Sequence, residues 1–142
     1  MVRNAEAVWE GGLKDGKGKI STDSGVLSDT QYSFGARFES GIGTNPEELI
    51  AAAHSGCFSM ALSAQLGNEG LTATSIRTKA SVTLEKLEEG FAVTKIHLDV
   101  EAEIPGASEE QFNTAANNAK AGCPISKLLK AAEITMDARL KG

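Results

Sequence analysis

Aromatic side chains are scarce in this chain, at 5% of 142 residues. Alanine, leucine, isoleucine and valine must therefore fill its core. Positive charge is also short, with 14 Lys and Arg against 19 Asp and Glu, a net −5. Nucleic acids and anionic membranes both demand clustered cations, so neither is an expected partner. Repeats, low-complexity segments and an obvious linker are absent, which points to a single domain over residues 1–142. The N-terminal MVRNAEAVWEGG lacks the apolar region of a secretory signal. The longest uncharged run, Leu49 to Leu66, reaches the length of a bilayer span. It contains His54, Ser55, Gly56, Ser59, Ser63 and Gln65 and has no close basic flank, so it reads as a buried helix of a soluble protein. A cytoplasmic location is the expectation. Cysteine occurs only at Cys57 and Cys123. In a reducing compartment, two thiols argue for a catalytic, redox or inert role over a permanent bridge.

What is present divides into three regions. As far as about Ser40, short strands alternate with Gly-rich turns. Ala5, Ala7 and Trp9 alternate with polar neighbours, Asp15-Gly16 marks a turn, and Lys19 to Thr22 returns. Tyr32, Phe34, Ala36 and Phe38 alternate in the same way, which predicts a strand with Arg37 on its polar face. The second region is a helix from Pro46 to about Leu66. Asn45 suits the N-cap, Pro46 takes N1 and Glu48 falls at N3, with Thr44 and Glu47 as a rival capping box. Gly67 is the expected stop. This helix is apolar almost all round, which predicts central burial. Its stripe of Ser55, Ser59 and Ser63 suits the close approach of another helix.

The third region opens with a hairpin turning at Glu88-Glu89-Gly90. Its alternation changes phase between Val93 and Ile96, which predicts a bulge near Thr94–Lys95. Pro105-Gly106 ends the strand, and Ser108 with Gln111 forms a capping box for a helix to about Ala121. Gly122 stops that helix, Pro124 starts a short one to about Ala132, and Ile134 to Leu140 alternates as a last strand. The pattern is α+β with mostly antiparallel strands.

Local physics separates the two cysteines. Cys57 sits mid-helix in apolar surroundings, where burial raises a thiol pKa and favours inertness unless a cation arrives from elsewhere. Cys123 precedes Pro124 and is biased towards an N-cap position facing free N–H groups, which favours its thiolate. On these grounds Cys123 is the better nucleophile. His54 lies three residues before Cys57 and could in principle join Cys57, Cys123 and His97 as a Cys2His2 metal set. There is no CxxC, and His97 faces away from Ile96 and Leu98, so a packed His54 is the default. A nucleophile-elbow motif for hydrolysis is missing.

The run Gly43-Thr44-Asn45-Pro46-Glu47-Glu48-Leu49-Ile50, continuing through His54 to Cys57-Phe58-Ser59-Met60-Ala61-Leu62, resembles the OsmC/Ohr family of osmotically induced and organic-hydroperoxide-resistance proteins. Ala119 to Ser126 resembles that family's second cysteine segment. Trp9-Glu10-Gly11 and Ser24 to Leu27 fit its N-terminal portion, so the resemblance spans essentially the whole chain. The His54-x-x-Cys57 form and Tyr32 to Glu39 are closer to the OsmC branch.

The resemblance implies an intertwined homodimer, with sheets wrapped around long central helices and active sites near the subunit interface. It implies a metal-free peroxidase with no bound cofactor, acting on organic hydroperoxides and re-reduced by an external dithiol of the dihydrolipoyl kind, free or carried on a lipoylated partner protein. It matches Cys57 to the peroxidatic cysteine and Cys123 to the resolving one, the reverse of the order local physics favours. Arg37 matches the residue that stabilises thiolate and peroxide, and Glu47 the one that orients Arg37. The competing class is a dimer that binds a small hydrophobic ligand, with non-catalytic cysteines.

Overall fold

The structure is a computed structural model and describes residues 1–142. Its elements run β1 (Ala5–Glu10), β2 (Lys17–Thr22), β3 (Thr30–Tyr32), α1 (Phe34–Phe38), α2 (Pro46–Asn68), β4 (Ser75–Leu87), β5 (Gly90–Glu103), α3 (Glu109–Gly122), α4 (Pro124–Leu128) and β6 (Glu133–Lys141). This is the α+β class, with two three-stranded sheets. Two compact units divide the chain, Met1–Leu49 and Ile50–Gly142.

The first unit is an antiparallel meander in the order β1-β2-β3. Trp9 and Tyr32 both pair with Gly18 on the middle strand. The missing side chain lets their rings approach to 5.5 Å; a Cβ at Gly18 would meet the Tyr32 ring at 2.3 Å. After Tyr32 the expected strand does not continue. Phe34–Phe38 is a short helix instead, capped by Ser33, whose Oγ accepts from Ala36 N–H. Five residues cannot distinguish strand alternation from i, i+4 spacing. Phe34 and Phe38 use the latter, with ring centroids 4.9 Å apart. Arg37 therefore leaves a helix, not the polar face of a strand.

Helix α2 begins as its sequence dictates and runs on into the second unit. Asn45 Oδ1 accepts from Glu48 N–H at 2.8 Å, a cap contributing about 1 kcal/mol. Glu48 turns to Thr44 Oγ1 at 2.8 Å, and the Thr44–Glu47 box does not form. The helix passes Gly67 and ends at Asn68, two residues later than expected. Gly70 takes a left-handed φ of +72°, while Leu71 N–H reaches Leu66 O and Gly70 N–H reaches Gly67 O. This is a Schellman closure, and Leu71 packs against the same core as Leu66.

In the second unit β4 and β5 form a long antiparallel hairpin, and β6 lies parallel to β5 after the α3–α4 crossover. Thr83 pairs with Lys95 and Leu84 with Val93, so Thr94 is the extra residue of the expected bulge. Ile96, Leu98, Val100 and Ala102 face inward. Leu98, Val100 and Ala102 pack with Phe58, Leu62 and Leu66 of α2 and Phe112, Ala115, Ala116 and Ala119 of α3. Each large side chain in that layer contributes about 1.5–3 kcal/mol by leaving water.

The sequence predicts α2 to be buried all round, but only His54, Phe58, Leu62 and Leu66 are buried. These four fall at i, i+4 spacing, the stripe that one packing layer can cover. Ala52, Ala53, Gly56, Met60, Ser63 and Ala64 are exposed. The serine stripe is not a bare packing surface either. Ser59 Oγ donates to Ser55 O and meets Thr78 Oγ1 of β4 at 2.8 Å. Helix α4 ends at Leu128, shorter than expected.

Candidate active site

The second unit brings the two cysteines together. Cys57 and Cys123, 66 residues apart in the chain, place their Sγ atoms 2.7 Å from each other as free, hydrogen-bonded thiols. The cause is local spacing on two elements. His54 and Cys57 lie one turn apart on α2, and Cys123 and Ser126 lie one turn apart across the start of α4. One contact between these elements therefore has two rungs. Cys57 meets Cys123, and His54 Nε2 meets Ser126 Oγ at 2.7 Å.

The rungs differ in exposure. Cys57 is partly open, whereas Cys123 and His54 are at 0% exposure and Ser126 is at 3%. They also differ in charge preference. Burial pushes the Cys57 thiol up, and its bond to Cys123 pushes it further. For Cys123 burial works in the opposite sense to the net shift. The Cys57 hydrogen bond, the Ser126 hydroxyl and the N–H groups of Ser126 and Ile125 outweigh burial and bring this thiol down. That agrees with the local reading of Cys123 as the more acidic thiol. The sulfur makes no full capping hydrogen bond, so the first N–H groups of α4 favour its thiolate through their nearness.

His54 is held neutral because burial lowers its pKa. Its Nδ1 is buried without a partner. The Cys2His2 arrangement does not assemble. His97 stands on the outer face of β5, where Nδ1 meets Thr135 Oγ1 at 2.6 Å and Nε2 meets Asp137 at 3.2 Å. No cluster of three or more His, Cys, Asp or Glu side chains is suited to a metal.

The first unit holds the charged pair. Arg37 donates from Nη2 to Glu47 Oε1 at 2.8 Å and from Nε to Oε1 and Oε2 at 3.1 and 3.3 Å. One edge of the guanidinium is occupied in this fork, and Nη1 makes no hydrogen bond. Glu47 is the more enclosed partner, at 12% side-chain exposure against 38% for Arg37. Asn45 ties the two supports together: its Oδ1 caps α2 and its Nδ2 donates to Ala36 O of α1 at 3.1 Å. Trp9, Leu13, Tyr32, Phe34, Arg37 and Phe38 line a mainly apolar recess of about 300 Å³.

Sequence reasoning named both cysteines, Arg37 and Glu47 but missed Ser126. The available signal was symmetry of spacing. Ser126 stands three residues after one cysteine, as His54 stands three before the other.

Comparison with known proteins fits this geometry. The chain is 55% identical over 139 residues to Peroxiredoxin OsmC of Escherichia coli (strain K12), covering 98% of this chain and 96% of the relative. It is 31% identical over 111 residues to organic hydroperoxide resistance protein OhrB of Bacillus subtilis (strain 168), covering 78% and 79%. The crystal structure of OhrB of Bacillus subtilis superposes with a TM-score of 0.68 at 27% identity, covering 97% of this chain and 98% of that one. An OsmC-like protein from Mycoplasma pneumoniae shares the fold at a TM-score of 0.78 and 14% identity, covering 100% and 99%. The family described as OsmC-like protein matches residues 39–138. The chain belongs to the OsmC family.

Proposed function

We propose that this protein is a cysteine-based, metal-free peroxidase that reduces organic hydroperoxides to alcohols. The observation that carries the reading is the pair of free sulfurs 2.7 Å apart, of which only Cys57 is open to solvent. A peroxide meets Cys57 first, and Cys123 is already within bonding reach when Cys57 is oxidised. Kinship with Peroxiredoxin OsmC and OhrB supports the same chemistry.

In this mechanism the Cys57 thiolate attacks the distal oxygen of ROOH. The O–O bond breaks, the alkoxide leaves and takes a proton as ROH, and Cys57 becomes a sulfenic acid. Cys123 then attacks Cys57 Sγ and displaces hydroxide. With the proton from Cys123 this hydroxide becomes water, and the disulfide is complete. An external dithiol of the dihydrolipoyl class, free or carried on a protein, re-reduces the bridge.

Cys57 is the less acidic thiol within its own unit, so its activation needs a cation. Arg37 fills that role, with Glu47 fixing its fork and leaving the Nη1 edge for thiolate, peroxide and departing oxygen. The aromatic recess in the same unit suits an organic substituent better than hydrogen peroxide. The two units thus serve one reaction as a single OsmC-like domain over residues 1–142. The active form is a cytoplasmic homodimer, in which a second copy covers the exposed small-residue face of α2 and completes the surroundings of the thiols.

The deciding experiment is mass spectrometry after one equivalent of an organic hydroperoxide. A loss of two hydrogens with Cys57 and Cys123 cross-linked is expected. Cys57→Ser should consume no peroxide, and Cys123→Ser should complete one turnover and leave a trappable sulfenic acid on Cys57. Sulfenic acid trapped on Cys123 in Cys57→Ser would reverse the two roles.

A further inference from the structure

The peroxidase chemistry leaves one buried titratable group unused. His54 is fully buried, and its neutral ring must place a single proton on one of two nitrogens. Nδ1 has no partner, while Nε2 faces Ser126 Oγ at 2.7 Å. A proton on Nδ1 would leave a buried N–H with no acceptor, the rarer and costlier defect. The proton therefore belongs on Nε2, which donates to Ser126. The Ser126 oxygen then accepts from His54, so its own proton is not spent on the imidazole. Ser126 stands three residues after Cys123, one turn along at the start of α4, so the His54–Ser126 contact lies one turn from the Cys57–Cys123 contact, and the hydroxyl favours the Cys123 thiolate.

We propose that His54 and Ser126 are positioning residues for Cys123: the buried imidazole fixes the Ser126 hydroxyl so that its proton is presented to the Cys123 sulfur. The inference builds on the redox role of the cysteine pair and adds which step the dyad serves. In the disulfide, Cys57 is the sulfur within reach of an incoming thiolate, because Cys123 is fully buried. Attack on Cys57 Sγ forms a mixed disulfide, breaks the bond to Cys123 and releases Cys123 as a thiolate. Leaving-group stability sets the rate of such an exchange. The reductant's second thiolate then frees Cys57, and the reductant is left oxidised as its own disulfide. The dyad thus acts on reductive regeneration and not on peroxide attack at Cys57.

The test uses the full-length chain, oxidised by diamide and reduced by dithiothreitol, so it needs no peroxidase activity. Stopped-flow reduction of the disulfide is the first readout. Thiolate absorbance near 240 nm, titrated in a Cys57→Ser background, is the second. Ser126→Ala should slow reduction roughly tenfold and raise the Cys123 pKa. Ser126→Thr should restore both. Gln places an amide N–H where Nε2 stands and Asn places it where Nδ1 stands, so His54→Gln should stay near wild type and His54→Asn should be slow. The Gln–Asn contrast keeps the test decisive if Ser126→Ala fails to fold. A Ser126→Ala protein with the wild-type reduction rate and thiolate titration overturns the proposal, as do equal rates for His54→Gln and His54→Asn. If these contrasts hold while peroxide leaves the cysteines untouched, the dyad stands and the peroxidase reading falls.

Discussion

The two units of this chain solve opposite problems. Residues 50–142 bury a continuous apolar layer, and their sulfurs are set by it: Cys57 rides on the same helix as Phe58, Leu62 and Leu66. Residues 1–49 bury almost nothing. Ala36 and Thr44 are the only buried side chains there, and every residue of β1 is exposed. Their charged pair is positioned instead by polar ties, the Arg37–Glu47 fork and the double use of Asn45. A thiol pair can be placed by core packing because sulfur tolerates apolar surroundings. A guanidinium cannot, because burying an unpaired charge costs far more than a polar loop does.

The contrast is tested most severely at Phe58. It is fully buried and lies next to Cys57 in sequence, so Phe58→Ala should cost about 3–5 kcal/mol by denaturant unfolding. Trp9→Ala, at a position 36% exposed, should cost far less in the isolated chain. Equal losses would mean that the first unit owns more of the stability than its burial suggests. Arg37 tests function in the same way. Arg37→Ala should leave stability nearly unchanged and raise the Cys57 pKa, slowing its oxidation at neutral pH by roughly one to two orders of magnitude. Arg37→Lys keeps the charge without the fork and should fall between. An unaltered oxidation rate in Arg37→Ala would move the activating cation elsewhere.

Acid stability comes next. Burial holds the folded pKa of His54 below its unfolded value, so the native state binds fewer protons there than the unfolded chain does. His54 therefore contributes stability that is fully present above about pH 6.5 and is lost as pH falls towards its depressed value. The slope in that window should reach at most about 1.4 kcal/mol per pH unit. Denaturant unfolding between pH 7 and pH 5 should show it in the wild type and show it flattened in His54→Gln. A slope that survives the substitution would assign the acid sensitivity to carboxylates.

Legibility in the sequence followed the same divide. In the second unit the patterns were long enough to decide: the phase slip located the bulge at Thr94, and Ser108 with Gln111 gave the capping box that the structure contains. The parallel pairing of β6 with β5 was not readable, since alternation has no direction. In the first unit five residues around Arg37 fitted both periods, and only the Ser33 cap decided for a helix. At α2 the composition suggested burial all round, but one chain supplies a layer on one side only. The Cys57–Cys123 contact was not implied by spacing, because a separation of 66 residues says nothing about distance. The resemblance named that pair, but Ser126 was found only through the structure.

The smallest predicted effect lies at the joint between α1 and α2. Asn45 performs two tasks with two atoms, so its substitutions can separate them. Asn45→Asp keeps an oxygen for the Glu48 N–H and adds a favourable charge at the helix start, but it loses the donor to Ala36 O. Asn45→Ala loses both. By denaturant unfolding, Asn45→Ala should cost about 1 kcal/mol and Asn45→Asp less than half of that. Both should weaken the support of α1 and so slow the Arg37-dependent oxidation of Cys57 by a similar small factor. A wild-type rate in Asn45→Asp beside a slow Asn45→Ala would mean that the cap, not the tie to Ala36, sets the position of the guanidinium. The first unit's geometry would then rest on the helix end alone, and its polar ties would be incidental.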